Sequence, residues 1–398
     1  MIAAAGARAL SLPHAPLRGV TIALIAFFTL VDLFATQAVL PLLAHRYGAA
    51  PAVIGVVVNA STFGMAVGSL LTALFGQSLD RRVGIVTSLL VLTIPTALLA
   101  HAPDLAVFAA LRVIQGLCMA TAFTLTLSHL GEVCSAKAQA GAFAAYITGN
   151  VASNLVGRLV AASAAGLYGV SWTFYLFAGL NLLGALLAVM SVAPTGRSAE
   201  KGRSLSERLA GALAFFTNGP VLAGFGVGFC ILFAFIGIFS YVNFVLMRPP
   251  LGLGMMSLGL VYFVFAPSIV LTPFAGAFAA KFGARPALWL GLGVAEVGLL
   301  LLLSSQLPLV LGGLVLVGAG TFFAQATATG FVSRSAGPDR SAASGLYLAS
   351  YFAGGLAGAA AVGQIFDHFG WPACVGAVAL ALAVAAAFGA QFSTGDDE

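Results

Sequence analysis

Charge is the scarcest property of this sequence. Asp, Glu, Lys and Arg together make up 7% of its 398 residues, against 61% apolar residues, and the mean hydropathy is +1.06. Neither a soluble globular domain nor a disordered segment carries that balance, so the chain reads as an all-α membrane protein. Cysteine is nearly absent as well. Cys118, Cys134, Cys230 and Cys374 show no paired spacing and three of them fall inside apolar runs. That pattern excludes a disulfide framework or a metal site and leaves small buried apolar residues. Histidine is equally sparse. His14, His45, His101, His129 and His368 are scattered at the edges of apolar runs without ligand spacing, which argues against a membrane-embedded enzyme. No cofactor is expected.

Long hydrophobic runs are what the sequence has instead. About 20 apolar residues cross a hydrocarbon core of about 30 Å. Such runs lie near 19–43, 51–75, 83–101, 104–130, 136–167 and 171–193, and again near 219–247, 253–279, 285–304, 308–333, 340–367 and 371–392. The first is too long for a signal-peptide core and has no small-residue cleavage site after it, so it is read as a retained span. The longest polar stretch, APTGRSAEKGRSLSERLAGALAFFTNGP (193 to 220), divides the chain into a bundle at 1–193, a cytoplasmic linker at 194–218 and a bundle at 219–398. Its SLSERLAGALAFF portion is amphipathic at helical spacing. It is either a helix along the membrane surface or a solvated linker.

The positive charges set an orientation. With both termini cytoplasmic, Arg8, Arg18, Arg81, Arg82, Lys137, Arg197, Lys201, Arg203, Arg208, Lys281, Arg285, Arg334 and Arg340 fall on the inner side, against only Arg46 and Arg248 outside. The expected location is a bacterial-type inner (plasma) membrane, crossed many times. The net charge of +5 belongs to those loops rather than to a nucleic-acid surface.

The two sets of spans repeat each other. In GNVASNLVG, Gly149, Ser153 and Gly157 correspond at a constant offset to Ser350, Gly354 and Gly358 of SYFAGGLAG. Within one residue of that offset, GQSLDRRVG from Gly76 matches GAFAAKFGAR from Gly276, and Thr121-Ala122-Phe123 matches Thr321-Phe322-Phe323.

Gly76, Asp80 and Arg81 after the second span resemble the signature loop Gly-x-x-x-Asp-Arg-x-Gly-Arg of the major facilitator superfamily (MFS), with the second glycine one residue late at Gly84. The copy in the second set keeps Gly276, Lys281, Gly283 and Arg285, while Ala280 replaces the acid. A second signature of that family, Arg-x-x-Gln-Gly on the fourth span, is intact as Arg112, Gln115 and Gly116. YVNFVLMRPPLGL (241 to 253) and the Gly-Asn…Gly-Arg pattern of the fifth span are similar to the YnfM-like, arabinose-efflux-permease-type branch. The resemblance covers the whole chain. It implies the MFS fold, 12 transmembrane helices in two pseudo-symmetric six-helix bundles around a central cavity, and a monomeric transporter of a small-molecule substrate. It also implies a cytoplasmic latch at Gly76, Asp80 and Arg81, and it favours export. The antiporter signature of the fifth span is altered: Asn154 stands for its proline and Arg158 for its last glycine.

Four charges fall inside spans: Asp32, Arg112, Arg158 and Glu296. Each costs at least about 2.5 kcal/mol at the bilayer centre, so each is a candidate functional residue. At about 1.5 Å of rise per residue, Asp32, Arg112 and Arg158 share a depth and could meet. Asp32 is the candidate proton carrier, with Arg112 as its coupling partner or, alternatively, as one half of a static ion pair. On the fifth span, Gly149, Ser153 and Gly157 form a packing groove, and Tyr146, Asn150, Asn154 and Arg158 form an adjacent polar stripe. That stripe is either a cavity wall or a set of interhelical links. With Gln115, Asn243, Gln325, Tyr347 and Tyr351 it makes up the candidate substrate site, whose two arginines against one aspartate favour an anionic or zwitterionic solute. For Glu296 a protonated, hydrogen-bonded carboxyl facing another helix is expected. Together these features predict a secondary transporter with alternating access, driven by the proton gradient. An uncoupled uniporter or an importer is the alternative.

Overall fold

In lipid every backbone polar group must find its partner within the chain, and apolar runs of this length do so only as helices. The computed structural model describes residues 15–75, 80–133, 136–192, 205–336 and 340–392, and every regular element among them is helical. Among the described residues ten helices are long and apolar enough to cross a membrane, a bent pair makes an eleventh, and the twelfth crossing, Ala136–Tyr168, is 33 residues long. Numbered in chain order, the crossings are α1 (Ala15–Ala38), α2 (Pro51–Phe75), α3 (Arg81–Leu98), α4 (Leu105–Val133), α5 (Ala136–Tyr168) and α6 (Val170–Ser191). Then follow α7 (Gly219–Met247), the broken α8 (Ser257–Leu271 with Phe274–Phe282), α9 (Ala284–Leu301), α10 (Leu307–Ser335), α11 (Arg340–Phe369) and α12 (Trp371–Gly389).

Two boundaries differ from the sequence expectation, and one open alternative is decided. The first run ends as a span at Ala38, and a separate short helix, Leu40–Tyr47 with Pro41 in its first turn, follows it. The eighth run is not continuous. Its two segments are bent by 47° around Thr272 and Pro273, where proline withholds an N–H from the preceding turn. Within the linker, Leu205–Ala214 is a helix that packs against α2 and α11, which decides for structure over a free solvated segment at those residues. Residues 193–204, Gly76 and Cys134 lie outside the described residues.

The internal repeat is visible as packing. A Cβ added at Gly149 would stand 2.0 Å from the carbonyl oxygen of Ala23 on α1, and one at Gly354 would stand 2.1 Å from that of Phe229 on α7. Gly157 and Gly358 meet Val31 and Phe233 in the same way, at 3.0 and 2.3 Å. The small residues therefore bring α5 onto α1 and α11 onto α7 with backbones in contact. The joints repeat too. Gly169 between α5 and α6 (φ 88°) and Gly370 between α11 and α12 (φ 77°) each turn the chain with a conformation that side chains resist.

Gly149→Val and Gly354→Val are each expected to destabilise the protein by about 2 kcal/mol or more, because backbone cannot yield as a side chain would. Thermal unfolding in detergent checks this. Gly179→Ala on α6 is the control, since its added Cβ would meet nothing within 4 Å. Equal losses in all three variants would refute the close-approach argument.

Candidate functional site

Two buried polar clusters occupy the interior. The first lies within the first bundle, where α1, α3, α4 and α6 converge. Asp32 is 3% exposed. Its Oδ2 accepts from the Asn181 amide at 2.7 Å and from the Thr96 hydroxyl at 3.0 Å, while its Oδ1 is buried with no hydrogen-bond partner. The Thr96 hydroxyl has a second acceptor in reach, the Leu92 carbonyl at 2.7 Å. Its single proton can therefore turn toward an ionised Asp32 or away from a protonated one. The Gln115 amide donates to Thr96 Oγ1 at 2.7 Å, and Arg112 Nη1 donates to Gln115 Oε1 at 2.8 Å.

Asp32 and Arg112 are thus joined side chain to side chain only through Thr96 and Gln115. The static ion pair considered from the sequence is not formed. The Arg112 guanidinium, wholly buried, instead donates to the backbone carbonyls of Val58 (2.8 Å), Asp32 (3.3 Å) and Leu33 (3.3 Å) and to Ser61 Oγ (2.9 Å). Gln115, expected at the substrate site, belongs to this chain of bonds. Gly116 permits it, since a Cβ there would stand 2.0 Å from the Ser61 carbonyl oxygen on α2.

The second cluster joins the two bundles, and Arg158 is its centre. Arg158 does not meet Asp32 and Arg112 as the shared depth suggested; it reaches across α1 to α7 and α8. It donates through Nε to Asn154 Oδ1 at 2.9 Å, through Nη1 to the Phe239 carbonyl at 3.3 Å, and through Nη2 to Gln37 Oε1. The rings of Phe34, Phe239, Tyr262 and Phe265 surround it, with centroids 5.0 to 5.7 Å from its Cζ. That is the range in which an aromatic face attracts a cation. From Gln37 the bonds continue to Asn59 Oδ1 (2.6 Å) and from the Asn59 amide to Ser240 Oγ (3.2 Å). The Asn243 amide donates to the Gln37 carbonyl at 3.0 Å, and Tyr262 donates to Asn243 Oδ1 at 2.7 Å. Every bond from Gln37 or Arg158 to α7 crosses between bundles.

Toward the face that carries Arg46 and Arg248, further contacts close the bundles together. Tyr241 donates to the Ala359 carbonyl at 2.5 Å, with its hydroxyl wedged between Gly55 of α2 and Gly363 of α11. Asp367 of α11 accepts from the Ala52 N–H at 3.1 Å and so caps the start of α2, where the residue before Pro51 is an alanine without a capping side chain. Gly363→Val is expected to hold this face apart, because a Cβ there would stand 2.2 Å from the Tyr241 hydroxyl. Spin labels at residues 104 and 306, in place of the exposed Asp104 and Gln306 and with the native cysteines replaced, should report a longer distance than in the parent. An unchanged distribution would sink this expectation.

The other predicted residues separate. Tyr146 is fully buried and donates to the Phe123 carbonyl at 3.3 Å within the first bundle. Tyr347 and Tyr351 are buried and stacked at 6.2 Å on α11. Asn150 and Gln325 are half-buried, and Asn150 Oδ1 has no partner. Asp80 caps α3 by accepting from the Val83 N–H at 2.9 Å, and Arg81 is buried beside it. Glu296 is half-buried on α9, and no hydrogen bond reaches its carboxyl among the described residues. The hydrogen-bonded carboxyl expected there is not found. Gln37, Asn59, Thr96, Asn181, Ser240 and Tyr262 were not singled out by the sequence, although lone asparagines inside apolar spans mark such positions. Among the described residues no group of acids, histidines or cysteines has metal-binding geometry.

The family model of the Major Facilitator Superfamily matches residues 22–269 and 251–394. The inner membrane transport protein YnfM of Escherichia coli strain K12 is 27% identical over 369 residues, which span 91% of this chain and 87% of YnfM. The uncharacterized MFS-type transporter YybF of Bacillus subtilis strain 168 is 23% identical over 374 residues, 92% of each chain. Among solved structures, a bacterial homolog of the human lysosomal transporter Spinster, inward-facing and unoccupied, aligns with a TM-score of 0.71 at 17% identity, covering 96% of this chain and 95% of that one. The nucleoside transporter NupG aligns with a TM-score of 0.73 at 15% identity, covering 95% and 99%. At such identities the two structures speak for the fold alone.

Proposed function

Because this chain belongs to the Major Facilitator Superfamily of membrane transporters, we propose that it moves a small organic solute by alternating access, driven by protons carried on Asp32. The observation that carries the coupling is the carboxyl itself: 3% exposed, one oxygen held by two donors and, among the described residues, the other without a partner and no guanidinium bonded to it. An uncompensated charge is expensive in such a place, and taking up a proton removes it. The Thr96 hydroxyl, with its two acceptors, follows either state.

The substrate is held between residues 1–193 and 219–398 on the stripe of Asn150, Asn154 and Arg158, with Asn243, Gln325, Tyr347 and Tyr351 facing it from the second bundle. Among the described residues no carboxylate pairs with Arg158, which favours an anionic or zwitterionic solute. The positive-inside rule puts the Arg46 and Arg248 face outside, both termini and the 194–218 linker in the cytoplasm, and the protein in a bacterial inner membrane. The Arg158 cluster, Tyr241 and Asp367 then form the outer seal. Gly76, Asp80 and Arg81 form the latch that closes the inner side when the bundles rock. The monomer suffices for this cycle, and resemblance to the efflux-type branch favours export.

The test begins with a thermal-shift screen of the purified protein against metabolites and drugs, and continues with flux of the ligand found into proteoliposomes. An imposed pH gradient is expected to accelerate flux. Flux indifferent to the gradient would overturn proton coupling and leave uniport.

A further inference from the structure

Arg158 is wholly buried, yet the groups its guanidinium bonds are all neutral: Asn154 Oδ1, the Phe239 carbonyl, Gln37 Oε1 and the Tyr262 hydroxyl. No carboxylate pairs with it among the described residues. Two further unsatisfied groups lie on the same face of α5. Asn154, also wholly buried, spends its oxygen on Arg158 and leaves its Nδ2 without an acceptor, and one turn away Asn150 Oδ1 lacks a donor. A buried donor left empty beside a buried cation is costly unless something occupies it in part of the working cycle.

What surrounds these groups is aromatic. Beyond the four rings around Arg158, Phe235 packs on Phe34 (5.8 Å), Phe239 (4.6 Å) and Phe265 (5.8 Å), and Phe322 packs on Phe235 at 5.2 Å. The cluster draws on α1 from one bundle and on α7, α8 and α10 from the other. We infer that the Arg158 site selects an organic monocarboxylate with an apolar, ring-bearing body, the carboxylate meeting Arg158 and Asn154 and the body meeting the rings of Phe34, Phe235, Phe265 and Phe322. The inference rests on the transporter reading above and narrows its substrate.

The chemistry excludes the neighbouring classes. One guanidinium without a second cation neutralises one negative charge, so a di- or tricarboxylate would bury charge unpaired. A sugar would bring several hydroxyls against phenylalanine faces that offer them no hydrogen bond. A cation would face an arginine. An aryl or alkyl monocarboxylate satisfies the fork of Arg158 with bonds stronger than those to neutral acceptors and buries its body on rings suited to it. The same guanidinium holds the outer seal through the Phe239 carbonyl. A carboxylate that takes Arg158 therefore competes with the seal, and binding is tied to its opening.

The experiment is a thermal-shift titration of the purified full chain with benzoate, phenylacetate and 3-phenylpropionate. Their primary amides, phenethylamine and citrate are run at matched concentrations. At least one of the three carboxylates is expected to raise the melting temperature in a saturable way, with its amide, the amine and citrate inert. Arg158→Gln is expected to weaken that ligand by about tenfold or more, the loss of one charge-assisted interaction. Asn154→Ala, which leaves the cation in place, should weaken it several-fold and serves if Arg158→Gln does not fold. No response to any of the three carboxylates, an equal response to amide or amine, or full affinity in both variants would overturn the inference. A cation that binds and is carried by proteoliposomes would overturn it and leave the transporter reading standing. A carboxylate that binds but is not carried would do the reverse.

Discussion

Asp32→Asn is expected to abolish accumulation driven by a pH gradient while exchange of substrate across proteoliposomes without a gradient continues. The asparagine has the size and shape of a protonated aspartate. Its carboxamide oxygen can take the place of Oδ2, accepting from the Asn181 amide and the Thr96 hydroxyl as Asp32 does at 2.7 and 3.0 Å. The fold should therefore be only modestly disturbed, within about 2 kcal/mol, because a buried charge is removed and the hydrogen bonds of Oδ2 are kept, while the new amide N–H group takes the partnerless place of Oδ1. What is lost is the ability to exist in two charge states. Thr96 would keep its proton on one acceptor, and the chain through Gln115 to Arg112 would be frozen in a single arrangement. The expected drop is to the level of wild-type protein without a gradient. Gradient-driven accumulation that survives at wild-type rate in this variant would remove Asp32 from the role of proton carrier. Thr96→Val makes a graded companion: it keeps the carboxyl and removes the hydroxyl link, and slower coupling rather than none is expected.

The spans, the duplicated small-residue stripe and the four intramembrane charges could all be read from the chain, because each is a local pattern. Gly149, Ser153 and Gly157 lie four apart on one face whatever they touch, and the backbone contacts of Gly149 and Gly354 with α1 and α7 follow from that spacing. Partnership across helices was not readable. Asp32 and Arg112 share a depth, and nothing in their spacing reveals that Thr96 and Gln115 stand between them. Gln37, Asn59, Ser240 and Tyr262 are single polar residues in three helices and a broken fourth. They become a site only when the two bundles close on Arg158. The bend of α8 was in plain view as Pro273, but a hydropathy run reads through a proline that the backbone does not. Glu296 marks the opposite limit. A charge in a span signals function by its cost, and without a partner among the described residues that cost has no counterpart to name.

Arg112→Lys is expected to damage the protein nearly as much as Arg112→Ala, and this outcome separates geometry from charge. The guanidinium donates to five acceptors on three helices: the carbonyls of Asp32 and Leu33 on α1, the Val58 carbonyl and Ser61 Oγ on α2, and Gln115 on its own α4. Lysine keeps the charge but offers three donors from one atom on a flexible stem, and it cannot span carbonyls on opposite sides. Alanine leaves a cavity where a fully buried side chain stood, together with acceptors that have lost a partner. A loss of about 3 kcal/mol for either variant corresponds to a fall in melting temperature of about 4 °C, at about 1 °C per kcal/mol for a chain of 398 residues, measured in detergent. The carbonyls keep their helical hydrogen bonds, so a deeper loss is not expected. Coupled flux should fall with stability, because the same fork positions Gln115 against Thr96 and, through it, Asp32. A lysine variant with wild-type stability and flux would show that the site asks only for a positive charge. A lysine variant that stays folded but no longer responds to a pH gradient would place the fork in the proton pathway, acting through Gln115 rather than through contact with the carboxyl.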